Sequence, residues 1–182
     1  MQLSLIYTIG HSTRPIAEFI GLLQAHEVAR VIDVRTIPRS RYNPQYNRDE
    51  LSRSLAQHGI GYTHFPGLGG LRRRQRQSPN AGWRNASFQG YADYMQTDEF
   101  ASNLDQLMEI ARHELLALMC AEAVPWRCHR SLIADALLVR GVRVEEINST
   151  RRTQPLELTP FAQVTGNRIT YPPQPSQTGS LF

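Results

Sequence analysis

The stretch that most constrains this chain runs from Leu115 to Gly141, LLALMCAEAVPWRCHRSLIADALLVRG. Leu115 to Cys120 is a continuous apolar run, as a strand covered on both faces requires. Leu132, Ile133, Ala136 and Leu137 then recur at helical spacing, and Gly141 is placed to end that helix. Between strand and helix lie Glu122, Trp126, Arg127, Cys128, His129, Arg130 and Ser131. In open α/β sheets ligands bind beyond the carboxyl ends of the strands, and both cysteines of the chain fall at this one strand end.

The remaining pattern repeats the same alternation. Leu3 to Ile9 reads as a first strand, followed by a turn, GHSTRP, into a helix with the stripe Ile16, Phe19, Ile20, Leu23 and Val28. Ser12 or Thr13 is placed to cap it, with Pro15 in its first turn. A second strand holds Val31, Ile32 and Val34, and Asp33 within it needs a partner if buried. Thr36 to Asn47 is a loop by its prolines and asparagines. Asn47 with Glu50 resembles a capping box, opening a helix through His58 that Gly59 ends. A short third strand covers Gly61 to Phe65, and the glycines and arginines that follow, to Ser87, read as a long loop. Helical pattern resumes from Phe88 to His113, with an interruption near Thr97. Val142 to Ile147 is a fifth strand, and Phe161 to Tyr171 a hairpin turning at Thr165, Gly166 and Asn167. The expected product is one α/β domain over residues 1–150, with a mostly parallel five-stranded sheet between two helical layers. A C-terminal extension carrying the hairpin follows over 151–171, then a disordered, proline-rich tail over 172–182.

Charge narrows the partner. The net charge is +4, but Arg35 to Arg84 holds ten arginines against Asp49 and Glu50, a local balance of +8 that leaves −4 for the rest. That asymmetry favours a phosphorylated small molecule or a nucleic acid as partner. No run approaches the roughly 20 apolar residues of a membrane helix, and the N-terminus lacks the pattern of a secretory signal. Two cysteines do not make a disulfide framework, so a reduced, cytoplasmic protein without a membrane partner is expected. The cysteines and histidines match no common zinc spacing, and GLGG lacks the GK[ST] of a nucleotide-binding loop, so no metal or other cofactor is expected. Oligomeric state stays open.

Four stretches, TIGHSTRP, VIDVRTIPRSRYNPQYN, YTHFPGLGG and CAEAVPWRCHRSLIA, occur in an order that resembles the family of domain of unknown function 488, DUF488. The similarity runs from the first strand to about Ile147 and extends to LTPFAQVTGNRITYP. The resemblance implies a three-layer, Rossmann-like α/β fold. It implies that His11, Arg35, Arg39, Arg41, Asn43, Glu122, Cys128, His129 and Arg130 belong to family motifs. It carries no established reaction.

Cys128 is the first chemical candidate. It lies near a helix start between Arg127 and Arg130, and both features favour the nucleophilic thiolate. The alternative is a small buried cysteine without chemistry. The spacing of the cysteine phosphatases is absent: six residues separate Cys120 from Arg127, and one separates Cys128 from Arg130. Cys120 belongs to a buried strand and is expected to be protected. Glu122 suits a general acid or base, or an ion pair with Arg35, Arg127 or Arg130. His11 ends the first strand and suits the same crevice, or a bond to the backbone. Arg35, Arg39, Arg41, Asn43, His129 and Arg130 are the candidate substrate-binding groups; arginines among Tyr42, Tyr46 and amides suit phosphate contact with base stacking. Three functions follow: an enzyme with Cys128, Glu122 and His11 as its chemistry, a non-catalytic nucleic-acid-binding module, or a small-ligand sensor.

Overall fold

The computed structural model describes residues 4–175; the end of the proline-rich tail lies outside them. Eight strands and five α-helices are present among the described residues. Strand β1 (Leu5–Gly10) is followed by α1 (Ile16–Ala25), β2 (Arg30–Asp33), α2 (Arg48–Ala56) and β3 (Gly61–His64). Then come α3 (Ala86–Tyr94), α4 (Asp98–Ala111), β4 (Leu116–Cys120), α5 (Arg130–Val139) and β5 (Arg143–Ile147). The chain ends in β6 (Thr153–Pro155), β7 (Gln163–Thr165) and β8 (Arg168–Thr170).

The sheet runs β3-β2-β4-β1-β5-β6. Its first five strands are parallel, as expected, and β6 adds an antiparallel sixth, pairing Glu145 with Pro155 and Ile147 with Thr153. This strand was not read from the sequence, because TQP carries no alternation. It ends in Pro155, a residue tolerated on an edge strand. The hairpin β7-β8 forms where expected, turning at Gly166 with φ of 60°.

β4 sits between β1 and β2, and its alternation splits the core. Leu116, Leu118 and Cys120 face one cluster with Tyr91, Leu104, Leu107, Leu132 and Leu137 of α3, α4 and α5. Ala117 and Met119 face the other, with Phe19, Leu23, Leu51 and Leu55 of α1 and α2. Helices therefore cover both faces, and all five residues of β4 are buried. No helix of the described residues is long and apolar enough to cross a membrane.

The local capping signals hold only in part. The break near Thr97 is real: α3 ends at Tyr94, and Thr97 caps the next helix, its Oγ1 accepting from Phe100 N–H. Gly141, at φ 79°, closes α5. Asn47 does begin α2, yet its side chain accepts from Ser40 N–H instead of capping the helix. Pro15, not Ser12 or Thr13, occupies the residue before α1, which has no side-chain cap.

Candidate functional site

A cavity of about 450 Å³ opens at the carboxyl ends of β2 and β4. After β2 the chain turns into the α1/α2 layer, and after β4 into the α3–α5 layer. Neighbouring strands that part in this way leave a crevice between their loops. The lining includes Arg35, Thr36 and Arg39 after β2, and Cys120 to Glu122 with Arg127 to His129 after β4. Gly70, Leu71 and the start of α3 complete it.

The loop from Ala121 to His129 is held tightly. Gly10 packs so closely beneath it that a Cβ there would lie 1.7 Å from the Glu122 carbonyl oxygen. Arg130, fully buried, spans the underside: one guanidinium nitrogen donates to Glu146 at 3.0 Å and another to the Glu122 carbonyl at 2.8 Å. Glu146 also receives the Thr8 hydroxyl. The Arg130 Nε–H is buried with no hydrogen-bond partner among the described residues.

Above Arg130 lie the two free cysteines. Their sulfurs are 2.7 Å apart, although one ends β4 and the other precedes α5. The Cys128 thiol is pulled down to about 7, by the S–H of Cys120 and then by the charge, backbone N–H and side chain of Arg130, against the effect of burial. Cys120 is pushed well up by burial and by that same contact, so it keeps its proton. His129 lies 3.5 Å from the Cys128 sulfur through Nδ1. Its Nε2 donates to the Val34 carbonyl at 2.9 Å, which leaves the lone pair on Nδ1. Burial lowers the His129 pKa, so the ring stands neutral beside the sulfur as a proton acceptor. Gly70 makes room for it, since a Cβ at 70 would sit 2.6 Å from Nδ1.

Arg35 reaches the lining, but its charge is already answered. Nε and a terminal nitrogen grip Asp33 at 2.9 and 2.7 Å, and the latter nitrogen also donates to the Tyr46 carbonyl. Asp33 thus has the partner its burial required, with the Tyr62 hydroxyl as a further donor. Arg39 and Arg127 differ: both are exposed, line the cavity and have no carboxylate partner among the described residues. Glu122 stands exposed on the rim, and its carboxylate makes no ion pair among the described residues; Arg130 meets its carbonyl instead.

His11 departs from the expected convergence. It does not line the cavity. Its ring stacks on Tyr46 at 4.1 Å, in the α1/α2 layer. Nδ1 donates to the Ser12 carbonyl at 2.8 Å, and Nε2 faces Arg35 at 3.5 Å. Burial pushes its pKa down to about 4. It therefore touches the site only through Arg35. Arg41 and Asn43 lie outside the lining as well, on the neighbouring loop. Arg127 was expected only as a cation beside Cys128 or a partner of Glu122, and Gly70, Leu71 and the start of α3 were not expected at the site. Only the placement of both cysteines at one strand end pointed toward the pairing of Cys120 with Cys128.

A family model described as domain of unknown function DUF488 matches residues 15–137, more than half of the chain. The chain belongs to the DUF488 family. The DUF488 match contains every residue that lines the cavity, from Arg35 to His129, and omits His11. No curated protein and no solved structure matches the chain.

Proposed function

We propose that this DUF488 protein is an enzyme that acts on a phosphorylated or nucleic-acid-derived substrate, with Cys128 as its nucleophile. The observation that carries the reading is one lining shared by Cys128 and two uncompensated arginines, Arg39 and Arg127. A volume of about 450 Å³ suits a nucleotide-sized ligand. The arginines hold the anion, and Ile37, Leu71 and Phe88 offer apolar walls to its organic part. Cys128 attacks the electrophilic centre and forms a bond to sulfur as the bond to the leaving group breaks; His129 Nδ1 takes the thiol proton and gives it to the departing group. Glu122 on the rim is a second acid–base group. Free thiols at a working site suit a reducing compartment, which supports a cytoplasmic location.

Iodoacetamide labelling of the folded protein between pH 6 and 9 tests this. Cys128 alkylates with a midpoint near 7, below the ordinary value of about 8.5. Inorganic phosphate or a nucleoside monophosphate slows the labelling. Sluggish labelling with an ordinary midpoint and no protection by either anion overturns the reading.

A nucleic-acid-binding module is the second reading, supported by Tyr42, 86% exposed, with the Arg41 guanidinium 5.9 Å from its ring. It requires oligonucleotide affinity that falls steeply with salt, survives Cys128→Ala and is lost in Tyr42→Ala.

A further inference from the structure

We propose that Cys120 is the resolving thiol of Cys128: a hydroperoxide oxidises Cys128, and Cys120 then closes a disulfide across the cavity floor. This rests on the reading of Cys128 as a nucleophile and adds a redox reaction at the same sulfur.

The chain has only two cysteines, and the fold brings both to one cavity from different elements. A cysteine serving only as core filler needs apolar neighbours. These two belong to the apolar cluster of the α3–α5 layer, but their sulfurs also face each other, with Arg130 beneath and His129 beside Cys128. Their environments differ as the two roles require. Cys128 has the cationic surroundings of an attacking sulfur. Cys120 keeps its proton, and a resolving thiol needs closeness more than acidity. Cys120 and Cys128 are 3% and 6% exposed, yet both line the cavity, so a small oxidant reaches them through it.

In the first step the Cys128 thiolate attacks the distal peroxide oxygen. The S–O bond forms, the O–O bond breaks, and the alkoxide or hydroxide leaves and is protonated by solvent; the sulfur loses two electrons to the peroxide. In the second, the Cys120 sulfur attacks the sulfenic sulfur of Cys128. The S–S bond forms, the S–O bond breaks, and hydroxide leaves as water with the Cys120 proton. A dithiol reductant reverses the disulfide and is itself oxidised.

The sequence makes the test direct. Arg127 lies between the cysteines, so trypsin separates His113–Arg127 from Cys128–Arg130, and only a disulfide rejoins them. The full chain is treated with one equivalent of hydrogen peroxide, and free thiols and tryptic peptides are then measured. Both thiols are expected to disappear together, with the joined peptide in the mass spectrum and full recovery on dithiothreitol. In Cys120→Ala, dimedone is expected to trap a sulfenic acid at Cys128, and excess peroxide to carry it to sulfinic acid. The wild-type protein keeping one free thiol, or accumulating sulfinic acid at Cys128 without the joined peptide, overturns the proposal. Fast alkylation at neutral pH without a joined peptide sinks this proposal alone; sluggish alkylation sinks the nucleophile reading with it.

Discussion

Between pH 6.5 and about 4, His11 carries a proton only when the chain is unfolded. The unfolded state binds more protons in that window, so acid favours unfolding there. The contribution is fully present above 6.5 and is lost as pH falls toward 4. A shift of that size is worth on the order of 3 kcal/mol. Arg35, Asp33 and Arg130 are the charged groups that act on the ring, and a comparison with a non-titrating variant isolates the histidine from them. His11→Gln is expected to flatten the fall of the urea midpoint between pH 7 and 4; parallel curves would remove His11 as the cause. Single residues also show what was legible in the chain. Cys128 at a helix start between arginines was readable, because spacing alone places it there. Cys120 was not: its apolar run reads as core, and only the fold of the loop back onto β4 turns its sulfur toward Cys128.

At the level of elements, the site depends on a backbone segment with little side chain of its own. Gly69 and Gly70 follow a 3-10 turn, Pro66–Leu68, and press against Thr36 and His129. The sequence marks GLGG as a flexible spacer; the structure uses its lack of side chains for close approach. Gly70→Ala is therefore expected to push the His129 ring from Cys128, at a stability cost of about 1–3 kcal/mol for overpacking. Alkylation of Cys128 should slow by about tenfold, a tenth or less of what a full acid–base partner supplies. Unchanged alkylation in a folded variant would show that His129 is a bystander. The helices and parallel strands were legible because their apolar periods are long. β6 was missed because three residues on a sheet edge have no period to read.

For the whole molecule, the C-terminal segment is a strap rather than an appendage. Tyr171 is completely buried in the α3–α5 layer. Its hydroxyl donates to Asp135 of α5 at 2.7 Å, and its backbone N–H to Asn80 at 2.9 Å. It joins the end of the chain to the long loop before α3 and to the helix that starts at the site. Tyr171→Ala should cost about 3–5 kcal/mol, as for other large core aromatics; a loss under 1 kcal/mol by urea unfolding would show that the strap packs without supporting the domain. The strand order carries a further consequence. Both neighbours of β1 come late in the chain, β4 at Leu116–Cys120 and β5 at Arg143–Ile147. On a ribosome, β1 emerges before β2, β3 and β4 and waits, with no native partner on either edge, until Leu116–Cys120 is made. Only β2 and β3 can pair in that time. A nascent chain truncated before β4 thus has a two-stranded ribbon and an orphan strand, and β4 and β5, made later, complete the sheet from its middle outward.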